Sequence, residues 1–148
     1  MPSPVGDIRQ VESFQAKFSR LLCKKLNISY NNYIDRCRIL KLETLEIRRV
    51  KFDLILIYKI TNKLIDVDFS IFFKLSSSIT SYNLRRHKFS IKKPDLAKTS
   101  VRNNFFSIRC VNTWNKLPQN IVTSPSFENF KHELNNFNMH SIYSSKIS

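Results

Sequence analysis

The sequence predicts a mainly α-helical fold, a small helical domain with a short β-hairpin insertion. Two observations give the helices. Apolar residues recur at three- and four-residue steps over residues 7–25 and again over residues 44–62, the period of one helix face. A third observation gives the hairpin: polar and apolar residues partly alternate over residues 80–93, as in short strands. A chain of 148 residues suits one domain with a respectable core. At 42% hydrophobic and 24% charged it has an ordinary globular composition. One domain is expected over residues 1–138, with a frayed tail at 139–148.

The elements follow in order. Ile8, Val11, Phe14, Phe18, Leu21 and Leu22 share one side of the first helix, with Arg9, Lys17, Arg20 and Lys24 off it. Asp7 is the expected cap, and Asn27 ends the helix. Ser29 can cap a short second helix carrying Tyr33, Ile34 and Cys37. A third helix lines up Ile47, Val50, Leu54, Ile57 and Tyr58, with a second apolar edge of Phe52, Leu56 and Ile60. Apolar character on two sides suits a central, buried helix or one with a further partner. The run 52–58 is also rich enough in β-branched and aromatic types to compete as a strand, but its length and flanks favour helix. Asp66-Val67-Asp68 reads as a turn before the apolar Phe72-Phe73, and Ser76-Ser77-Ser78 as a loop. Pro94 closes the hairpin region. Residues 103–116 read as a helix stopped by Pro118. Ser124 with Pro125 starts a last helix whose Phe127, Phe130, Leu134 and Phe137 share a side. The predicted core contains Phe14, Phe18, Leu54, Tyr58, Phe105 and Trp114.

Composition then narrows function. The single glycine, Gly6, excludes glycine-rich phosphate loops of the P-loop and dinucleotide-binding kinds, and leaves left-handed turns to Asn. Lys and Arg number 25 against 11 acids, a net charge of +14. That field favours polyanions, nucleic acid or an acidic membrane surface. Twelve Phe and five Tyr argue against a disordered basic tail. Cys23, Cys37 and Cys110 show no zinc-knuckle spacing, and reduced, partly buried thiols are expected. The N-terminus lacks signal-peptide character and the longest apolar run is far too short for a bilayer. An intracellular protein, nuclear or cytoplasmic and not secreted, is expected.

Few residues suit catalysis, and no catalytic, metal or cofactor site is expected. Two-metal nucleotidyl transfer needs clustered carboxylates, and the nearest approach is Asp66-x-Asp68, better read as a turn or a helix cap. His132-Glu133 lacks the second histidine of the zinc-protease helix, and His87 lies in Arg85-Arg86-His87-Lys88, where neighbouring cations favour neutral imidazole. The stronger candidate is a nucleic-acid-binding segment: Arg85, Arg86, Lys88, Lys92, Lys93, Lys98, Arg102 and Arg109, interleaved with Tyr82, Phe89, Phe105 and Phe106. Cations suit phosphates and aromatic faces suit unpaired bases. Equally, the aromatics can be core and the cations a solvated side. Arg48 and Arg49 are a weaker case, as they can simply solvate their helix or pair with Glu43 and Glu46.

Ordered motifs add a resemblance. Leu42, Leu45, Arg48 and Arg49 come first, then Asp53-Leu54, Tyr58-Lys59-Ile60, Asp66, Asp68 and Phe72-Phe73. Val101-Arg102-x-Asn104-Phe105-Phe106, Arg109, Trp114-Asn115-x-Leu117-Pro118 and Phe130 follow. In this succession the chain resembles the C-terminal region of reverse transcriptases from jockey-like non-LTR (LINE-type) retrotransposons. Thr80-Ser81-Tyr82 departs from the family's usual Thr-Arg-Gly. The resemblance implies that the polymerase palm with its aspartates, and an endonuclease domain, lie upstream, and that this chain is a truncated, non-catalytic fragment. It further implies an accessory region that holds element RNA or target DNA. The runner-up is a structural or interaction module that docks on the missing palm or thumb domains, or a non-functional remnant. Neither a membrane nor a small-molecule substrate is an expected partner.

Overall fold

The computed structural model describes residues 4–76, 87–92, 106 and 110–142. The fold is mainly α-helical. In chain order the helices are α1 (Pro4–Lys25), α2 (Tyr33–Ile39), α3 (Leu45–Thr61), α4 (Phe69–Phe72), α5 (Val111–Lys116), α6 (Gln119–Val122) and α7 (Phe127–Asn136), followed by a 3₁₀ turn (Met139–Ser141). Residues 52–58 fall inside α3, so the strand alternative is not adopted. No described helix is long and apolar enough to cross a membrane.

The expected hairpin is not found among the described residues. Residues 80–86 and 93 lie outside them. Over residues 87–92 the chain turns through Lys88 and Phe89, and Ile91 then forms an isolated antiparallel bridge with Leu75. The Ile91 N–H and C=O are both held by the Asn115 side chain. With both groups occupied, Ile91 has no backbone hydrogen bond left for a hairpin arm.

Helix ends show how a chain with one glycine stops its helices. Asn27, Lys41 and Lys63 adopt left-handed φ values of 54°, 53° and 54°. Ile28 N–H donates to Cys23 O, Leu42 N–H to Cys37 O and Leu64 N–H to Lys59 O, at 2.9, 2.8 and 2.8 Å. These are Schellman closures of α1, α2 and α3. Asn was the expected left-handed residue, yet lysine fills that position twice.

Contacts divide the chain into two compact units, one up to Val50 and one from Lys51. In the first unit, α1 begins at Pro4, so Asp7 lies in its first turn rather than capping it, where its charge still favours the helix dipole. Asn32, not Ser29, caps α2 by accepting from Asp35 N–H. The larger departure is which side of α1 is buried. Val11, Phe14, Phe18 and Leu21 are 53, 65, 60 and 67% exposed, so Phe14 and Phe18 are not core; Glu12, Ser19 and Cys23 are buried instead. Hydrogen bonding decides this. α2 presents Tyr33 and buried Arg36, which need polar partners. The Tyr33 hydroxyl donates to the Glu12 carboxylate, and Arg36 donates to Ser19 Oγ (3.3 Å) and Ala16 O (3.4 Å). Gln15 donates to Glu43 O (2.8 Å), and Leu45 N–H, at the start of α3, donates to Glu12 (3.2 Å). The Arg36 guanidinium also lies 4.6 Å from the Tyr30 ring centre. The polar side of α1 supplies these contacts and its apolar side cannot.

The second unit packs as the periodicity predicts. Leu54, Ile57 and Tyr58 of α3 are buried, and the second edge divides, Ile60 buried but Phe52 and Leu56 exposed. The Tyr58 ring stacks on Phe130 at 4.1 Å, and its hydroxyl donates to Ser124 O at 2.8 Å. Trp114, Phe130 and Leu134 are fully buried. Phe105, the remaining core expectation, lies outside the described residues. Of the helix expected over 103–116, Phe106, which is helical, and α5 lie among the described residues, and α5 ends where Leu117 turns extended before Pro118. α7 starts one cap later than expected: Ser126 accepts from Asn129 N–H (3.2 Å), while Ser124 is buried and donates to Ile121 O (2.7 Å) at the end of α6. Met139, placed in the expected frayed tail, is buried.

Candidate nucleic-acid interface

Of the eight cations singled out by the sequence, Lys88 and Lys92 lie among the described residues, and both are exposed. Arg85, Arg86, Lys93, Lys98, Arg102 and Arg109 lie outside them. The segment carrying Lys88 and Lys92 is fixed by α5. Trp114 Nε1–H donates to Phe89 O at 2.9 Å. Asn115 closes a two-bond pairing with Ile91, accepting from its N–H and donating to its C=O, each at 2.8 Å. His87 Nε2 lies 2.9 Å from Trp114 O, so it carries the proton, because a carbonyl can only accept. The Trp114-Asn115-x-Leu117-Pro118 motif is therefore a clamp. Its tryptophan fills the core, its asparagine imitates a strand partner, and Leu117-Pro118 ends the helix that presents both.

A second backbone support adds a residue the sequence reading missed. Ser76 N–H donates to Ser90 O (2.9 Å) and Lys92 N–H to Lys74 O (2.6 Å). With Leu75 bridged to Ile91, exposed Lys74 stands opposite exposed Lys92. Like charges placed opposite one another across paired backbone repel, and an anion between them removes that cost. Only the antiparallel bridge, spanning residues 75 to 91, reveals this neighbour. Lys88 Nζ lies over the Phe89 ring at 4.9 Å, which keeps a cation beside a half-exposed aromatic.

The remaining candidates have structural settings. His87 is buried, its ring edge-on to Trp114 with centroids 5.7 Å apart. Burial pushes its pKa down, partly opposed by the Trp114 carbonyl; the Arg85 and Arg86 of the sequence argument lie outside the described residues. Its Nδ1 is buried with no hydrogen-bond partner among the described residues. Asp68 caps α4, accepting from Ser70 N–H and Oγ at 2.9 Å each, and these bonds hold its carboxyl below the usual carboxylate range. Among the described residues no group of three or more His, Cys, Asp or Glu could hold a metal ion. His132 and His140 are exposed, and Arg48 and Arg49 are exposed on α3. Cys23, Cys37 and Cys110 are buried thiols. Phe106 is half-buried, its ring 5.7 Å from and edge-on to Phe73.

No family model matches this chain, and neither curated proteins nor solved structures give a match. The case for function rests on the residues themselves.

Proposed function

We propose that this chain is a basic, non-catalytic accessory region that holds single-stranded or structured nucleic acid, and that it is a C-terminal fragment of a non-LTR retrotransposon reverse transcriptase. The observation that carries the binding part is Lys74, Lys88 and Lys92, exposed on segments fixed by Trp114, Asn115 and the Leu75–Ile91 bridge. Cations on a fixed backbone lose less conformational freedom on meeting phosphates than cations on a loose tail. The net charge of +14 steers a polyanion toward the chain. Half-exposed Phe89 offers a ring on which an unpaired base can stack. The ordered motifs support the retrotransposon part of the reading. In that reading the chemistry of polymerisation belongs to other domains of the parent enzyme, and this region takes no cofactor.

The test is a salt titration of RNA binding. Neutralising Arg85, Arg86, Lys88, Lys92 and Lys93 together weakens binding at low salt. Each lost phosphate contact lowers the log–log salt slope by roughly 0.7–0.9. A five-fold variant that binds like its parent, with the same slope, refutes the phosphate track and leaves the interaction-module reading ahead.

A further inference from the structure

α1 has an exposed apolar seam that the nucleic-acid reading does not use. Val11, Phe14, Phe18 and Leu21 are all exposed and fall at alternating three- and four-residue steps. This is the a/d spacing of a two-helix seam, about 15 Å long at 1.5 Å per residue. The opposite side of α1 is occupied, because Glu12, Ser19 and Cys23 are buried. In the same register Lys17 and Lys24 occupy the g positions and are exposed, while the e positions hold Gln15 and Leu22, both half-buried. One edge of the seam is therefore cationic and the other closed by the first unit itself. Lys17 Nζ lies 5.9 Å from the Phe14 ring centre, a cation at the rim of the apolar stripe.

We infer that this seam docks a partner helix with apolar a and d residues and acidic flanking residues. Geometry and charge each exclude alternatives. An interfacial membrane helix needs an apolar arc wider than an a/d stripe, and here the described exposed apolar residues within α1 are a/d only. A second copy carries the same lysines and another +14 of charge to the contact, which like-charge repulsion opposes. Nucleic acid can stack on Phe14 and Phe18 but gains nothing from Val11 and Leu21 at the ends. An acidic-flanked helix satisfies all four seam residues and both lysines. The inference is independent of the phosphate track at residues 85–93.

The probe is a designed 21-residue helix with Leu at a and d and Glu at e and g, titrated against the full chain at about 0.15 M salt, where surface charge is screened beyond about 8 Å. The expected result is saturable binding that a peptide of identical composition but scrambled order does not reproduce. Phe14→Ser/Phe18→Ser weakens it at least about tenfold, equivalent to 1.4 kcal/mol, while helical content and the environment of Trp114 stay unchanged. Lys17→Glu/Lys24→Glu shifts preference to a matched peptide with Lys at e and g. Equal binding of the scrambled peptide overturns the proposal, since charge alone then suffices. So does dimerisation of the chain through Phe14 and Phe18, seen by sedimentation. A Phe14- and Phe18-dependent association with phosphatidylserine vesicles or single-stranded RNA, without peptide binding, also overturns it. RNA binding that survives in Phe14→Ser/Phe18→Ser leaves the nucleic-acid reading untouched whichever way the peptide result falls.

Discussion

The two units use apolar periodicity in opposite ways. In the second, the repeating apolar residues of α3 and α7 point into a core of Leu54, Tyr58, Trp114, Phe130 and Leu134. In the first, the repeating apolar residues of α1 point outward, and the buried interface is a hydrogen-bonded group of Glu12, Ser19, Tyr33 and Arg36. Periodicity states that a helix has an apolar side. It does not state that the same chain covers that side. The buried side is decided by what the neighbouring element demands, and α2 demands acceptors for Tyr33 and Arg36.

The largest test of this contrast is a pair of substitutions of similar chemistry. Trp114→Ala removes a fully buried ring and is expected to cost on the order of 3–5 kcal/mol. Phe14→Ser/Phe18→Ser removes two exposed rings and is expected to change stability by no more than about 0.5 kcal/mol per site. Urea unfolding followed by circular dichroism reads both. Equal costs would mean that α1 buries its apolar side after all.

Next in size is Asn115→Ala. It leaves the N–H and C=O of Ile91 without their side-chain partners, at about 1–3 kcal/mol for buried polar groups deprived of a bond. The same variant is expected to loosen Lys88 and Lys92, read as faster amide exchange over residues 88–92. Unchanged exchange would show that the bridge to Leu75 holds the segment alone.

A smaller effect separates the units by pH. Burial lowers the pKa of His87 below its ordinary 6.5. As pH falls below 6.5 the unfolded chain takes up a proton that the folded chain refuses. The contribution of His87 is therefore complete above that pH and lost as pH falls toward the folded value. Tyr33 in the first unit shifts the other way, raised mainly by burial and next by its bond to Glu12. Its contribution holds below the ordinary 10.0 and is lost as pH rises above it. Tyr58 is also raised by burial, so alkali acts on both units, whereas the His87 contribution to acid sensitivity belongs to the second. The single tryptophan reports on that unit. Its denaturation midpoint is expected to fall between pH 7 and pH 5, and to fall less in His87→Gln.

Legibility of the sequence follows the range of the interactions. The course of α3, the stop at Pro118 and the shared side of Phe130 and Leu134 depend on neighbours within a few residues, and all three are readable. Asp68 as a cap is readable for the same reason, since its partner is Ser70. The role of Asn115 is not, because its partner lies 24 residues away and an asparagine carries no mark of which backbone it will hold. Lys74 escapes notice because only the bridge from Leu75 to Ile91 brings it opposite Lys92. The left-handed lysines at 41 and 63 were unreadable as well, since the Schellman bonds favour a position that side-chain type disfavours.

The most direct measurement is lysine footprinting of the intact chain, comparing acetylation rates with and without single-stranded RNA at low salt. RNA is expected to slow modification of Lys74, Lys88 and Lys92 and to leave Lys17 and Lys24 on α1 unchanged. Protection of Lys17 and Lys24 with Lys74, Lys88 and Lys92 still reactive would contradict it, by placing nucleic acid on the seam and not on the clamped segment.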